Sequence, residues 1–123
     1  MTDPREIPGI DPEMAEAMLK GRELMPEGRL DLATTSIDQV RAQYLRGRAY
    51  WNEDGPQMQR TENFSVDGPH GDIPVRLYDP KGDGPLPLLL YFHGGGYIYG
   101  NIESHDRVCR WLAERSGVAV ASV

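Results

Sequence analysis

A chain of 123 residues with 39% hydrophobic content and a net charge of -6 has the size of one small, mildly acidic domain. Arg41, Arg46, Arg48, Arg107, Arg110 and Arg115 fall on predicted helices among acids rather than in a basic stripe, which disfavours a nucleic-acid partner. Cys109 is the only cysteine, so an internal disulfide and a cysteine metal cluster are excluded and a reducing, cytoplasmic setting is favoured; with no apolar run near the ~18 residues that span a bilayer and no signal-like N-terminus, no membrane association is expected.

Residues 1–9 form a lead-in, after which Asp11-Pro12-Glu13 reads as a helix start: an Asp at the N-cap, a Pro at the first helical position, an acid near the positive end of the dipole. Met14, Ala17, Met18 and Leu19 recur at helical spacing, and Gly21 is expected to end the helix or follow it closely. Packing is the plain reading of the methionine-bearing face, although methionine also suits an adaptable pocket wall. Signals are weak over residues 24–35, where Pro26 and Gly28 break any helix. Ser36 with Gln39 makes a capping box, and Ile37, Val40, Tyr44 and Leu45 give the apolar stripe of a second helix reaching about Arg48. Residues 50–56 read as a linker, which divides the chain into an N-terminal helical segment, 1–55, and a second domain, 56–123.

The second part opens on a predicted hairpin. Phe64-Ser65-Val66 starts it, residues 67–72 turn, and Ile73, Val75 and Leu77 alternate with Pro74, Arg76 and Tyr78, with Pro74 pushing its strand toward an edge or a strand start. His70 in the turn is a solvated loop residue. A second turn over residues 79–85 leads into Leu86, Leu88, Leu89, Leu90, Tyr91 and Phe92, a continuous apolar run that suits a strand covered on both faces. Ser104 is expected to cap a helix with Val108, Trp111 and Leu112 as its stripe and Gly117 as its stop, before residues 118–123 return as a strand. Strand, helix, strand makes a parallel crossover, so the class is α/β. A chain that stops inside such a strand is expected to be the front part of a longer protein.

Between the apolar run and the last helix stands His93-Gly94-Gly95-Gly96-Tyr97. Three consecutive glycines cost conformational entropy and belong where the backbone needs unusual angles or must approach something closely. A dinucleotide fingerprint fails because Tyr99 occupies its last glycine position, and a phosphate-binding P-loop fails because Asn101-Ile102 stands where Lys-Ser/Thr is required. A tight turn alone needs one or two glycines. An oxyanion hole, in which successive N–H groups face the oxygen of a tetrahedral intermediate, uses all of the features.

Residues 89–97, Leu-Leu-Tyr-Phe-His-Gly-Gly-Gly-Tyr, resemble the HGGG signature of the hormone-sensitive-lipase-like branch of α/β-hydrolase esterases. The likeness extends to Gly71-Asp72-Ile73-Pro74-Val75-Arg76-Leu77-Tyr78 with Pro80, and to Ser104-His105-Asp106, Cys109-Arg110, Leu112-Ala113 and Ser122-Val123, in order and spacing. It implies the N-terminal part of an α/β-hydrolase fold, a β-hairpin and then strand–oxyanion loop–helix–strand, preceded by two cap helices. By the same resemblance Gly94 and Gly95 donate oxyanion-hole amides, and His93 with Gly96 positions the loop. Tyr97, Met14, Met18 and Tyr44 are implied pocket walls, with core packing as their default reading. His105 and Asp106 look like a dyad but face different ways as neighbours at a helix start, so capping and packing account for them better.

The implied function is a serine carboxylic-ester hydrolase acting on small to medium acyl esters through an acyl-enzyme, without cofactor or metal. One departure stands against it. No G-x-S-x-G occurs, and Ser36, Ser65, Ser104, Ser116 and Ser122 all lack the flanking glycines, so nucleophile, acid and base are absent from this chain. The expected partners are therefore an acyl ester and the missing C-terminal part of the hydrolase, on the same or another chain, and the resemblance leaves room for a homodimer. The other reading open at this point is a non-catalytic fragment or pseudo-enzyme serving as a structural or binding half.

Overall fold

The computed structural model describes residues 2–123, which divide between Gln43 and Tyr44 into two compact units. In the first unit α1 (Pro12–Leu24) begins where the sequence places it, the Asp11 carboxylate accepting from the N–H of Glu13 at 2.8 Å and of Met14 at 3.4 Å. It does not end at Gly21. The helix runs on to Leu24, with the Met25 N–H donating to the Gly21 carbonyl at 3.2 Å, because an interior glycine costs only about 1 kcal/mol. The segment that carried weak local signals is held by a distant side chain: the buried Gln43 carboxamide donates to the Gly28 carbonyl at 2.6 Å and accepts from the Leu30 N–H at 3.0 Å. Ahead of it, α2 (Ile37–Ala49) opens on the capping box, with the Ser36 hydroxyl donating to Gln39 Oε1 at 2.9 Å and the Gln39 N–H reaching back to Ser36 Oγ at 3.4 Å.

The second unit is built on one mixed sheet of β1 (Arg60–Val66), β2 (Ile73–Asp79), β3 (Leu88–Tyr91) and β4 (Ala119–Ser122), in the order β1-β2-β4-β3. The hairpin is antiparallel with Phe64 opposite Val75, β2 and β4 pair antiparallel, and β3 and β4 pair in parallel with Leu89 opposite Val120. Pro74 stands near the strand start, opposite Ser65 of β1, and pairing of β2 with β4 begins only at Arg76. The helix α3 (Asp106–Ser116) joins β3 to β4 and stops at Gly117, whose φ of 67° lets its N–H return to the Ala113 carbonyl at 2.9 Å. Its buried stripe is Cys109 and Ala113 with Leu112 beside them, whereas Val108, expected in that stripe, is 41% exposed. Tyr78, Cys109, Ala113 and Val120, each fully buried, form the core between helix and sheet.

Two further expectations change. β3 is not covered on both faces: it pairs only with β4 among the described residues, and Leu88 and Leu90 are 56% and 58% exposed. An edge strand in a sheet served by one long helix keeps much of its side-chain surface open. Ser104 does not cap α3 either. It lies inside a 3-10 turn, Glu103–His105, that feeds the helix, and His105 holds the capping position without a side-chain bond.

Candidate active site

The apolar strand β3 delivers the chain into residues 92–100, a loop that folds back on itself. The Gly95 carbonyl accepts from the N–H of Ile98 at 3.1 Å and of Tyr99 at 3.2 Å, and the Gly94 carbonyl accepts from Nδ1 of His93 at 3.0 Å. The carbonyls are thus engaged. The N–H groups of Gly94, Gly95 and Gly96 are not: among the described residues none of the three donates to another group. A run of free backbone donors beside tied-back acceptors is an environment for negative charge.

The three glycines are there for different reasons. At Gly95, with φ 148°, an added Cβ would lie 1.6 Å from the Tyr99 carbonyl oxygen, so the turn itself forbids a side chain. Gly96 has φ 60° with open space around it. Gly94 lies outside the positive-φ region and nothing stands within 4 Å of the position its Cβ would take. Neither backbone angle nor packing demands glycine at 94, and its missing side chain leaves that position open. Tyr97, at the tip, is fully exposed and has φ 59°, a left-handed conformation that costs a bulky residue on the order of 1 kcal/mol and is concentrated at functional sites.

His93 rests on the base of the loop. Its ring stacks on that of His105 at 5.3 Å with 23° between the planes, and its other side closes on Gly100, where a Cβ would lie 2.8 Å from Nδ1. His105 is buried, with Nδ1 2.9 Å from Ser104 Oγ and 3.4 Å from the Asn101 carbonyl. Ser104 and Asn101 lock reciprocally: the Asn101 N–H donates to Ser104 Oγ at 2.9 Å and the Ser104 N–H to Asn101 Oδ1 at 2.9 Å. Asn52 fastens this corner to the helices, its carboxamide donating to the carbonyls of Arg48 and Ser104 at 3.1 Å each and accepting from the Arg107 N–H at 3.0 Å.

Below the corner, Asp106 accepts from Tyr78 Oη at 2.7 Å, from Arg76 at 3.0 Å and from Arg110, while Arg76 also pairs with Glu103. Burial alone would raise the Asp106 pKa, but the bonds from Arg110, Tyr78 and Arg76 outweigh it and hold the carboxyl below the usual range. Burial pushes the Tyr78 hydroxyl well up. His105 and Asp106 are therefore committed to separate structural contacts and make no dyad.

Tyr44, on the last turns of α2, stacks on Tyr99 of the loop at 4.7 Å, and Arg48 Nε donates to its hydroxyl at 3.2 Å. Met14 and Met18 stand on α1 in the first unit, Met14 exposed and Met18 half-buried. Pro74, His93, Asn101, Ile102, Glu103 and Val123 line a hollow of about 280 Å³ beside the loop. Sequence reasoning missed Tyr99, Asn52 and Arg76. The Asn101-x-x-Ser104 spacing is a legible local signal, whereas Asn52 acts across 52 residues and carries none. Among the described residues no cluster of His, Cys, Asp and Glu is arranged to hold a metal, and no helix is long and apolar enough to cross a membrane.

The family profile of the alpha/beta hydrolase fold matches residues 89–123. The acetyl esterase of Salmonella schwarzengrund is 41% identical over 91 residues, which are 74% of this chain and 28% of that protein, so the chain spans under a third of the length of such relatives. Among solved structures, an ester-hydrolase from the metagenome of Lake Arreo superposes with a TM-score of 0.79 at 34% identity, covering 92% of this chain and 36% of its own. The hyperthermophilic esterase from Pyrobaculum calidifontis gives 0.78 at 30% identity, covering 92% and 35%. In sequence and in fold, the chain has the α/β-hydrolase fold and is similar to the hormone-sensitive-lipase-like, HGGG-bearing esterases.

Proposed function

We propose that this chain is the oxyanion-hole portion of a serine carboxylic-ester hydrolase acting on small to medium acyl esters through an acyl-enzyme. The observation that carries the reading is the set of unengaged N–H groups at Gly94, Gly95 and Gly96 with open space at the Gly94 side-chain position. In that reaction a serine supplied by the remainder of the hydrolase attacks the ester carbonyl, and the carbonyl oxygen gains negative charge as its double bond opens. Gly94 and Gly95 donate to that oxygen, each such donor contributing about 2.7–4 kcal/mol to the transition state. Collapse of the intermediate expels the alcohol, and water then releases the acid through the same charged oxygen. His93 and Gly96 hold the loop, and Tyr44 and Tyr97 flank it as substrate contacts.

The partner that supplies nucleophile, acid and base fits the open side of β3, whose backbone pairs only with β4 among the described residues. The acetyl esterase relative supports a short acyl chain. Hydrolysis of p-nitrophenyl acetate and butyrate tests the proposal, assayed on this chain by itself and on this chain completed by the nucleophile-bearing segment. The completed enzyme is expected to be active and to react with a fluorophosphonate, and the chain by itself to do neither. Gly94→Val, which fills the open space, lowers kcat about 100-fold with the fold retained. Unchanged turnover in Gly94→Val sinks the oxyanion role; absence of both turnover and fluorophosphonate labelling in the completed protein favours the non-catalytic reading.

A further inference from the structure

The feature left without a role is the pair of stacked imidazoles. Two histidines with ring centroids 5.3 Å apart and nearly parallel planes are an uneconomical way to pack a loop, since one proton on either ring places a cation against the face of the other. We propose that His105 is a positioning residue: its neutral ring is the seat on which His93 rests, and through His93 it sets the turn that presents the N–H groups of Gly94, Gly95 and Gly96. The chain of contact is short. His105 is fixed from below by Ser104 Oγ and the Asn101 carbonyl, His93 lies on it, and His93 Nδ1 holds the Gly94 carbonyl while the same ring closes on Gly100. A carbonyl only accepts, so His93 carries its proton on Nδ1. The Ser104 hydroxyl donates to the Asn101 carbonyl at 2.9 Å, which leaves His105 Nδ1 as donor to Ser104 Oγ. Both rings are thereby held as the same tautomer, and acid adds its proton to Nε2 of His105.

Every charged group around the pair bears on the sign. The guanidinium of Arg48, on α2, and that of Arg107, on α3, line the hollow of about 380 Å³ that His105 borders. Tyr91 of β3 faces His105 with its ring at 6.2 Å and is neutral across the working range. Glu103 lines the hollow beside His93 but is taken by Arg76, and Asp106 is taken by Arg76, Tyr78 and Arg110. Among the described residues, the surroundings offer cations and no free anion to a second proton. Burial, followed by the charges of Arg48 and His93, accordingly holds the His105 pKa below its ordinary value despite the bond to Asn101. The seat is intact at neutral pH and is lost as pH falls below about 6.5.

The positioning role of His105 deepens the esterase reading by naming what sets its donors, so the test is made on the loop itself and does not depend on turnover. Amide exchange and chemical shifts of Ile98 and Tyr99 are followed by NMR against pH, together with the ring signals of His93 and His105. In the wild-type chain the loop amides follow the His105 midpoint. His105→Phe keeps a flat ring without a titrating nitrogen, so exchange at pH 7.5 stays near wild type and the His105-linked midpoint disappears; His105→Ala removes the seat and accelerates exchange by several-fold, up to about tenfold, at all pH values. Loop amides that ignore the His105 titration, or a midpoint that persists in His105→Phe, overturn the proposal. In the completed hydrolase the same midpoint is expected in kcat rather than in KM. If no ester is hydrolysed, the esterase reading fails while the NMR outcome still decides the role of His105.

Discussion

Alanine placed in turn at Gly94, Gly95 and Gly96 separates three physical reasons for glycine within one tripeptide. At Gly95 the new Cβ would sit 1.6 Å from the Tyr99 carbonyl oxygen and 2.7 Å from its carbon, both backbone atoms that no rotamer change moves. The turn must open, which forfeits the hydrogen bonds from Ile98 and Tyr99 to the Gly95 carbonyl at roughly 1 kcal/mol each. Residual backbone strain adds on the order of 1 kcal/mol, so Gly95→Ala costs about 2–3 kcal/mol. Gly96→Ala meets no atom and carries only the left-handed penalty, about 1 kcal/mol. Gly94→Ala meets no atom at an ordinary backbone angle and changes stability by about 0.5 kcal/mol or less. Urea denaturation reads the global part and hydrogen exchange at Ile98 and Tyr99 reads the local part. The expected order of damage is Gly95→Ala, then Gly96→Ala, then Gly94→Ala, while under the proposed esterase function the order in catalysis brings Gly94 forward, since a substituent there fills the open space beside the unengaged N–H groups. If Gly95→Ala protects Ile98 and Tyr99 as well as Gly94→Ala does, the turn is not what requires glycine at that position and the reasoning fails.

Further outcomes follow from the core and the ion pairs. Tyr78→Phe deletes the donor to Asp106 and is expected to cost about 1.5–3 kcal/mol in urea denaturation, because a bond to a charged acceptor is lost. The Asp106 carboxyl is depressed in the folded state, so the unfolded chain binds its proton first as pH falls; stability is present above about pH 4 and declines below it, and Asp106→Asn flattens that limb of the acid-denaturation curve. Cys109 is fully buried and burial pushes its thiol up to about 11, so it resists an aromatic disulfide reagent at pH 8 in the folded chain and reacts once urea is added. Asn52→Ala, which cuts the tie between the end of α2, Ser104 and the start of α3, is expected to raise hydrogen exchange through residues 101–107 with little effect in the hairpin.

Local chemistry was legible wherever the cause lies within a few residues. The Asp11-Pro12 start, the Ser36–Gln39 box, the hairpin and the Gly117 stop all depend on neighbours in sequence, and each is found where its pattern places it. Errors arose where the deciding partner is distant. Gly21 looked like an end because nothing local shows that the helix tolerates it, and the burial of β3 was overestimated because an apolar composition says what a strand can pack against and not what lies beside it. At the candidate site, the glycine turn beside His93 was readable from the sequence motif. The unequal roles of its glycines were not, since they depend on where the Tyr99 carbonyl and the His105 ring stand.

The strand order β1-β2-β4-β3 also has a temporal side. During synthesis the hairpin emerges with both of its strands adjacent in sequence and needs nothing further to pair. The strand that carries the glycine loop does need something, because β4, its only partner among the described residues, is made about thirty residues later and must insert between two strands already present. Until residues 119–122 have left the ribosome, the loop is tethered to a strand without a neighbour, and its apolar side chains are open to other contacts. Release of β4 is thus the step at which a two-stranded ribbon becomes a sheet and the donors acquire a fixed direction.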